Sequence, residues 1–501
     1  MFFFANYLSN RRQRVVLNGK SSDWAPILSG VPQGSVLGPL LFLIFINDLE
    51  AGIKSKVKFF ADDTSLYSIV KDPEVSAREL NHDLELINNW AKQWKMSFNP
   101  DPTKPAEEIL FSQKRRPTAH PPLYFNGVEV KRVMEHKHLG LILDPKLTFA
   151  AHLKEKIATA RKGIGLIRYL QSYLPTESLI QIYKMRIRSH FDYCDFIYHI
   201  PELNNVENDD EIDSDDNDDG ENIVVEDGTD LNVDANSSKK LKLNFRMKSL
   251  ESVQYQAALA VTGAWKGTSA AKIYKELGWE SLHSRRCFRR ITQFFKIMKG
   301  FTPQYLVDPI PVPRRHLFGR RSSNDLYEFN CRTKRFSSSF YPDSVIRWNG
   351  LGPELRNTEL LSGFKNSIIK TIQPTKKSIF NVHDPEGIKH IFQLRVGLSP
   401  LKAHKKNHNF RDTPNDDCCC GTGTETAEHF LVFCPNFRTQ REILFSNIDL
   451  ILSKLKNSNT AENSLGQKLL YGDINLTTRE NCIILKNTIE FIRGTRRFSR
   501  L

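Results

Sequence analysis

The sequence predicts an α+β fold in which a short region of β-strands comes first and long helices follow. Between residues 57 and 67, β-branched and aromatic residues flank two adjacent aspartates, which is typical of a strand–turn–strand. From residue 80 onward, apolar residues recur every three or four positions in several stretches, which indicates amphipathic helices. Strands and helices that occupy separate parts of a chain favour the α+β class.

Length and charge limit the kinds of protein this can be. The chain has 501 residues, which predicts two to four domains. Its net charge is +14, but residues 202–234 hold 15 Asp or Glu and no Lys or Arg, so the rest of the chain carries +29. Such a charge favours a polyanionic partner, with nucleic acid first and an acidic membrane surface second. The alternative is a well-solvated charged surface.

Cysteine usage and hydropathy bear on the compartment. Four of the eight cysteines crowd into residues 418–434 and the others are scattered, which is not a disulfide framework and favours a reducing compartment. The apolar start, residues 1–4, is too short for a signal peptide, and the longest apolar run, 37–46, is too short to span a bilayer. We therefore expect an intracellular protein, nuclear or cytoplasmic, that is neither secreted nor inserted in a membrane.

Glycine, proline and apolar spacing locate the first elements. The stretch 30–35 predicts a loop because two glycines bracket a proline, and Pro39 suits the first turn of a helix that reaches Ile46. Residues 57–67 predict a hairpin with its turn at the aspartates. The elements predicted after it are a helix over 73–96, a strand at 109–111, a strand pair over about 122–144, and helices that cover 153–167, begin near 176, resume near 245 and cover about 280–299.

The acidic stretch 202–236 lacks hydrophobic periodicity and predicts disorder. It interrupts a helical region that resumes near residue 245. We therefore interpret it as a loop insertion between two helices, not as a boundary between unrelated domains.

The adjacent carboxylates Asp62 and Asp63 are the most informative pair in the chain. Like charges inside an apolar run are costly, so the pair either is neutralised by a divalent cation or lies at an exposed turn. Mg²⁺ prefers hard oxygen ligands and usually takes one or two carboxylates together with substrate phosphates. Taken alone, the dipeptide favours the exposed turn.

Other stretches change that balance. Residues 29–39 (SGVPQGSVLGP), Leu49 and residues 60–63 (FADD) together closely resemble the reverse transcriptases of LINE-type (non-LTR) retrotransposons, the jockey-like animal elements in particular. Further stretches that resemble this family are 90–98 with Asn99, Lys104 and 110–112, the HLGLILD stretch 138–144, and the segments 254–263 and 277–279. The resemblance thus extends over most of the chain.

The resemblance implies a polymerase site. In the family the aspartate pair lies on the palm hairpin and holds the catalytic Mg²⁺ ions, with Asp62 the firmer ligand and Asp63 the second. It places Gln33 and Gly34 under the incoming deoxynucleoside triphosphate (dNTP) and template base, where a glycine allows close approach of backbone to substrate. Phe60 and Ala61 would pack beside the primer end, and Lys104, if not simply a surface lysine, could protonate the leaving pyrophosphate. The implied partners are an RNA template and a DNA primer or target.

The resemblance also implies a fold and domain order. The fold is a partial polymerase palm (an antiparallel sheet with helices), an α-helical thumb, and a mixed C-terminal region with a small zinc-knuckle-like segment. The expected domains are the partial palm over 1–145, the thumb or connection over 146–300 with a disordered acidic insert at 202–240, a basic linker and helical region over 301–400, and the C-terminal region over 401–501.

One part of the family pattern is not found. A palm needs a third carboxylate well upstream of a stretch resembling residues 7–17, yet no Asp precedes Asp23, which lies between that stretch and the loop at Gly30. We therefore expect a polymerase truncated at its N-terminus, without fingers and first palm strand, with little or no activity because a two-metal site needs all its ligands. The alternatives are a catalytically inactive nucleic-acid-binding remnant and, less favoured, a product that does not fold stably.

A second candidate site combines cysteines and a histidine. Cys418, Cys420, His429 and Cys434 have the spacing C-x-C-x8-H-x4-C, and three thiolates with one imidazole suit a structural Zn²⁺. Cys419 either points elsewhere or competes as a ligand, and the alternative is a set of free cysteines. The spacing also resembles the knuckle-like segment at the C-terminus of the retroelement family.

Several basic stretches are candidates for phosphate contact or for solvated faces. The residues flanking the cysteines are Lys405, Lys406, Arg411, Arg438 and Arg441. The stretch 285–290 (RRCFRR) lies on a predicted helix and could track a template strand, although a basic helix face is more often simply exposed. The stretch 314–321 (RRHLFGRR) mixes charge with an aromatic residue, as single-strand binders and nuclear localisation signals do.

Overall fold

The structure, a computed structural model, divides the chain into two compact units, Met1–Thr148 and Phe149–Leu501. It describes residues 2–32, 34–98, 106–114, 119–198, 245–311, 325–369, 382, 384–451, 453, 464–473 and 476–498. Short strands are confined to the first unit apart from one isolated bridge, and the second unit is built from helices. The described part of the chain is therefore α+β.

The described residues of the first unit form three helices and six two-stranded pairings. Its helices are α1 (Phe2–Leu8), α2 (Leu37–Ile46) and α3 (Pro73–Gln93). Its strands are β1 (Arg12–Gln13), β2 (Val16–Leu17), β3 (Lys20–Ser21), β4 (Ala25–Pro26), β5 (Lys56–Phe60), β6 (Asp63–Tyr67), β7 (Glu107–Glu108), β8 (Tyr124–Phe125), β9 (Val128–Glu129), β10 (Lys131–Arg132), β11 (His136–His138) and β12 (Leu141–Leu143). The pairs β1–β4, β2–β3, β5–β6, β8–β9 and β11–β12 are antiparallel, and β7–β10 is parallel.

The core of the first unit joins helix α2, the β5–β6 hairpin and helix α3. Ile46 from α2 and Ile87 from α3 are buried together, and Phe59 and Leu66 of the hairpin pack against them. Helix α3 begins where Asp72 accepts hydrogen bonds from two backbone N–H groups of the first turn and Pro73 sets the first helical φ. The hairpin thus packs on α3 through apolar contacts.

Three predicted elements of this unit are confirmed within a few residues. They are the helix with Pro39 in its first turn that reaches Ile46, the helix over 73–96 and the hairpin over 57–67. The predicted strand at 109–111 is wrong, because the strand is Glu107–Glu108, which pairs in parallel with Lys131–Arg132. Charge favours that register, since Arg132 donates to the carboxylate of Glu108 at 3.1 Å. The prediction had followed the apolar residues at 109–111.

The second unit is helical. Its helices are α4 (Ala150–Leu170), α5 (Thr176–Tyr183), α6 (Ser189–Asp192), α7 (Asp195–Tyr198), α8 (Phe245–Thr262), α9 (Ala270–Leu277), α10 (Leu282–Met298), α11 (Lys334–Ser337), α12 (Phe340–Asn349), α13 (Pro353–Asn357), α14 (Leu361–Ile369), α15 (Pro385–Val396), α16 (Lys402–Asn407), α17 (Arg438–Asn447), α18 (Leu465–Tyr471) and α19 (Thr478–Gly494). π-Helical turns cover Lys184–Arg188 and His429–Phe433, and 3₁₀ turns cover Gln304–Leu306 and Pro435–Phe437.

Contacts join the helices on both sides of the acidic stretch. The hydroxyl of Tyr183 donates to Gln254 Oε1 at 2.6 Å in a buried position, and Arg289 bonds Asp195 at 2.6 Å. Tyr183 and Asp195 precede the stretch, whereas Gln254 and Arg289 follow it. The acidic segment 202–240 itself lies outside the described residues, as does the basic stretch 314–321.

Aromatic side chains form a large part of the second unit's core. Phe295 stacks on Phe364 with ring centroids 4.1 Å apart, and Trp348 packs edge-on against Phe294 at 5.7 Å. These contacts tie α10, α12 and α14 together. In the part of the chain that the structure describes, no helix has the length and apolar character needed to cross a membrane.

Candidate active site and metal centre

The β5–β6 hairpin presents the two aspartates at its tip. Strands β5 and β6 pair from Lys56 with Tyr67 up to Phe60 with Asp63, which leaves Ala61 and Asp62 as a two-residue loop. Both carboxylate residues are exposed. Ala61 has φ of 53°, in the left-handed region that non-glycine residues rarely adopt, so the tip is held in a costly conformation. Such strain is concentrated at functional turns.

The pleat of the hairpin sorts its side chains between two faces. Residues directly opposite each other in an antiparallel pair share a face, so Phe59 with Thr64 faces the core and Phe60 with Asp63 faces away. Phe60 is 65% exposed although it is a large apolar side chain. The structure therefore brings Phe60, Ala61, Asp62 and Asp63 together at one exposed tip, as the sequence predicts.

A buried carboxylate on α3 supports the base of the hairpin. Asp83 is fully buried and accepts hydrogen bonds from the backbone N–H groups of Lys54 at 3.0 Å and Ser55 at 2.8 Å, just before β5 begins. Burial opposes the charge of Asp83, but the bonds from Ser55 and Lys54 outweigh it and hold the pKa of this carboxyl below its usual value. The sequence reasoning missed this residue. The available signal was a lone aspartate on the apolar face of a predicted helix.

The loop before α2 is only partly described. Gly34 has φ of 80°, which explains the glycine, whereas a Cβ built on it would meet nothing within 4 Å in this chain. Backbone conformation, not crowding within the protein, thus requires glycine there. Gln33 and Lys104, the other residues expected to meet nucleotide or template, lie outside the described residues.

The hairpin supplies two carboxylates for a cation. Mg²⁺ is commonly held by one or two carboxylates and completes its shell with water and substrate phosphates, so Asp62 and Asp63 fit it. Among the described residues, no third His, Cys, Asp or Glu forms a ligand group with them. Asp23 is exposed between β3 and β4 and belongs to no such group.

The second candidate site does form a complete ligand set. The ligand atoms of Cys418, Cys420, His429 and Cys434 all lie within 4.8 Å of one another. The Sγ atoms of Cys418 and Cys434 are 3.7 Å apart, and Cys420 Sγ is 3.2 Å from His429 Nε2. Two thiolates on a tetrahedral Zn²⁺ are separated by about 3.8 Å, because each Zn–S bond is about 2.3 Å. The donor set and spacing therefore fit zinc.

Local structure explains how the cluster forms. The N–H of Cys418 donates to Gly423 O at 2.8 Å, and the N–H of Gly421 donates to Cys418 O at 3.0 Å, which closes the chain into a tight turn between the first two thiols. Gly421, with φ of 75°, permits that turn. The π-helical turn His429–Phe433 then carries the other two ligands, because the N–H of Cys434 donates to His429 O at 2.7 Å.

The thiols differ in their surroundings. Burial raises the pKa of Cys418 to about 12, and burial also raises the pKa of Cys434. A hydrogen bond from the Thr422 hydroxyl lowers the pKa of Cys420 to about 6, with help from His429. Cys419 is exposed and outside the cluster, and its Sγ accepts from Asn436 Nδ2 at 3.3 Å. Of the two alternatives for Cys419, the structure shows that it points elsewhere.

Most of the basic residues around the cluster hold the protein itself together. Lys405 pairs with Asp412 and Lys406 with Asp416, both at 2.8 Å, which fastens α16 to the loop before Cys418. Arg441 is buried and donates to Cys434 O at 2.7 Å. Phosphate contact and a solvated face were the two alternatives for Arg441, and its burial fits neither, because the guanidinium donates to carbonyls of the π-helical turn and of Cys434. Arg438 is highly exposed and pairs with Glu442 at 3.0 Å, and Arg411 is exposed.

The basic stretch 285–290 does not form the exposed basic face expected of it. It is helical, but Arg286 and Arg290 are 2% and 0% exposed. Arg285 pairs with Asp192 at 2.7 Å, and Arg290 pairs with Asp343 at 2.8 Å. These arginines form internal ion pairs, so a template strand could not lie along them; the carboxylates come from distant parts of the chain.

Comparisons with known proteins match the part of the chain that contains the hairpin. The reverse transcriptase (RNA-dependent DNA polymerase) family model matches residues 2–130, which contain both aspartates. The chain is 29% identical over 196 residues to a probable RNA-directed DNA polymerase from transposon X-element and 31% identical over 182 residues to one from transposon BS, both of Drosophila melanogaster. It is 27% identical over 190 residues to the RNA-directed DNA polymerase from mobile element jockey of the same fly.

These matches cover 38%, 35% and 36% of this chain, respectively, and 21%, 20% and 20% of the relatives. The chain thus spans about a fifth of the length of the curated relatives it matches. Residues 2–130 of this chain are therefore similar to reverse transcriptases, and the matched relatives are RNA-directed DNA polymerases of transposons.

Proposed function

We propose that this chain acts in RNA-directed DNA synthesis, with Asp62 and Asp63 as the carboxylates that hold catalytic Mg²⁺. The β5–β6 hairpin carries the proposal, because it presents one carboxylate in its exposed two-residue loop and the other at the adjoining first residue of β6, and it packs on a buried core. The match of residues 2–130 to reverse transcriptases supports it. In this proposal residues 1–145 are a partial palm, and helices of residues 146–300 form the thumb.

The residues at the tip have separate tasks. Mg²⁺, when bound, would offset the negative charge of the triphosphate and favour deprotonation of the attacking 3′-hydroxyl. Asp62, in the loop, is the firmer ligand, and Asp63, the first residue of β6, is the second. Phe60 shares the outward face with Asp63 and offers an exposed ring to the primer end, next to Ala61. Gln33, Gly34 and Lys104 are proposed to meet the dNTP, template base and pyrophosphate.

The expected rate is low. In-line transfer needs both ions held at once, and the described residues supply two carboxylates instead of the three expected for a palm. Asp63→Asn should reduce any residual synthesis, and Asp62→Asn should abolish it. We therefore propose an impaired polymerase whose partners are an RNA template, a DNA primer or target, and dNTPs.

Primer extension on a homopolymer RNA template with Mg²⁺ tests this. We expect weak incorporation that Asp62→Asn abolishes and that Asp23→Asn, the matched removal of another exposed carboxylate, leaves intact. Incorporation that survives Asp62→Asn would overturn the assignment of that residue. Loss of synthesis in Asp23→Asn would instead identify Asp23 as a ligand.

A second candidate function is nucleic-acid binding without catalysis. Among the described residues, Asp62 and Asp63 belong to no group of three or more ligands, whereas the cysteine–histidine cluster has four, and this difference favours the second function. RNA binding that weakens steeply with salt, together with no nucleotide incorporation by the native chain, would favour this function over the first.

We also propose that Cys418, Cys420, His429 and Cys434 hold one structural Zn²⁺. The 3.7 Å separation of two of the thiols supports this assignment, and a closed set of four ligands leaves no position for catalysis. We propose that residues 301–400 form a basic linker and helical region and that residues 401–501 form the C-terminal region that bears the zinc. We also propose an intracellular location, nuclear or cytoplasmic.

A further inference from the structure

Helix α4 has an outward face that is basic along its length. Four positively charged side chains on this face are exposed: Lys154, Arg161, Lys162 and Arg168. They recur at intervals of seven, one and six residues, which keeps them within one stripe of the helix surface. The stripe from residue 154 to residue 169 is about 22 Å long, at about 1.5 Å for each residue.

An adjoining side of α4 is buried. Leu153, Ala160, Ile164 and Ile167 form the buried stripe, and α4 packs against α8 through it. The basic stripe therefore cannot turn inward without losing this core contact. Its side chains reach solvent from a rigid helix instead of a loop.

The charges on this face are not neutralised by the rest of the described chain. Glu155 is the one acidic residue of α4, and it pairs with Lys156 at 3.3 Å. No carboxylate of the described residues forms an ion pair with Arg161, Lys162 or Arg168. The arginines of α10 differ, since Arg285, Arg289 and Arg290 all have carboxylate partners within 3.2 Å. A face that is basic and unpaired in the described chain suits an anionic ligand.

Two tyrosines extend the stripe at its C-terminal end. Tyr169, in the last turn of α4, is 69% exposed, and Tyr173, just after the helix, is 71% exposed. Their ring centroids are 5.9 Å apart. An exposed aromatic face beside basic residues is what unpaired bases stack on.

We propose that the face formed by Lys154, Arg161, Lys162, Arg168, Tyr169 and Tyr173 binds single-stranded nucleic acid. The basic side chains contact successive phosphates along the strand, and bases stack on the two tyrosines. A duplex keeps its bases paired and cannot supply their faces to the rings, so the tyrosines select a single strand. All of these residues lie in the part of the chain that the proposed function assigns to the thumb, so the inference rests on that function for its class of ligand. It does not depend on Asp62 or Asp63.

Binding measurements with the full chain test the charges. Fluorescence anisotropy would compare labelled oligonucleotides of about 15 nucleotides as single-stranded RNA, single-stranded DNA and duplex. Arg161→Gln with Arg168→Gln should weaken single-strand binding at least tenfold and lower the slope of log affinity against log salt by about 1.4, at about 0.7 for each phosphate contact. Tighter binding of RNA than of DNA, or the reverse, identifies the natural strand.

A matched control has the same charge and spacing. Arg479→Gln with Lys486→Gln also removes two exposed positive charges seven residues apart, but on α19. This variant should keep the native affinity within about twofold, because it leaves the α4 face intact. Both double variants lower the net charge of the protein by two, so a difference between them depends on where the charges lie. If the two double variants lose equal affinity, binding follows net charge and the proposal fails.

The tyrosines are tested by stacking. Tyr169→Ala with Tyr173→Ala should lower single-strand affinity by about tenfold or more, whereas Tyr169→Phe with Tyr173→Phe should retain it, because phenylalanine keeps the ring. Circular dichroism would verify that each variant folds. Native affinity in the alanine pair, or duplex bound as tightly as single strand by the native chain, would overturn the proposal.

Discussion

The buried carboxylate of Asp83 accepts a hydrogen bond from the backbone N–H of Ser55 at 2.8 Å, and so helix α3 fixes the residue that immediately precedes strand β5. The same carboxylate accepts from Lys54 at 3.0 Å. Asp83 therefore fixes the start of the hairpin that carries Asp62 and Asp63, and it is not itself one of the proposed metal ligands. Apolar packing of Phe59 and Leu66 completes this support.

Replacing Asp83 should destabilise the first unit. Asp83→Ala leaves two partly buried backbone N–H groups without their acceptor, which should lower the free energy of unfolding by about 2 kcal/mol. Asp83→Asn retains one acceptor oxygen and should cost less. Urea unfolding followed by tryptophan fluorescence measures both. Equal stability of the alanine variant and the native chain would show that the two bonds contribute nothing.

The same residue predicts a pH dependence. Because the pKa of Asp83 is lower in the folded chain than in the unfolded chain, its contribution to stability is fully present above the unfolded value, about 4. That contribution is lost as the pH falls through the folded value. The difference in unfolding free energy between the native chain and Asp83→Asn should thus shrink under acid conditions. A difference that is constant from neutral to acid pH would contradict this assignment.

The backbone conformation of Ala61 predicts that two substitutions at this position change the free energy of unfolding in opposite directions. Ala61 has φ of 53°, which costs an L-residue about 1 kcal/mol and costs glycine nothing. Ala61→Gly should therefore raise the unfolding free energy by about 0.5 kcal/mol, and Ala61→Val should lower it by more than 1 kcal/mol, since β-branching crowds that conformation. Thermal unfolding of the two variants checks the sign. A stabilising valine would exclude the left-handed conformation.

Sequence reasoning succeeded where structure is locally encoded. The hairpin follows from alternation around Asp62 and Asp63, and the cysteine cluster follows from ligand chemistry and spacing, because both depend on neighbours in the chain. The roles of Asp83 and Arg290 depend on partners 28 and 53 residues away, which no local pattern contains. The stretch 285–290 illustrates the limit. Helical spacing predicted its helix, but nothing local revealed that the carboxylates of Asp192, Asp195 and Asp343 cover it.

Arg290 predicts a loss of stability that is separate from nucleic-acid binding. It is fully buried, and its Nη1 donates to Asp343 at 2.8 Å and to Ser338 O at 3.1 Å. Burial lowers the pKa of Arg290, and the charge of Asp343 opposes that effect. Arg290→Ala should cost about 3 kcal/mol, because removing one member of a buried pair leaves its partners unsatisfied.

Urea unfolding of Arg290→Ala measures this cost, with Arg168→Ala as the control for loss of an exposed arginine, which should change stability by less than about 0.5 kcal/mol. RNA affinity, measured where both variants are folded, should be native in Arg290→Ala. Native stability together with weakened RNA binding would return the stretch 285–290 to the role of a template contact.

The metal centre predicts how stability depends on zinc. A closed set of three thiolates and one imidazole binds Zn²⁺ only when the turn at Gly421 and the π-helical turn are formed, so binding energy becomes folding energy. We expect about one zinc per chain, and a chelator should lower the midpoint of thermal unfolding. Cys434→Ser should lose the metal, unfold at the chelated midpoint and show no further response to chelator.

Cys419→Ser is the matched control for that experiment, because Cys419 adjoins two of the ligands in sequence and lies outside the cluster in space. It should keep both the zinc and the native midpoint. Loss of zinc in Cys419→Ser would make Cys419 a ligand. Cys434→Ser with a native zinc content would remove Cys434 from the set. Since Arg441 donates to the carbonyl of Cys434 at 2.7 Å, Arg441→Ala should weaken zinc retention without removing any ligand atom, which separates support of the turn from coordination itself.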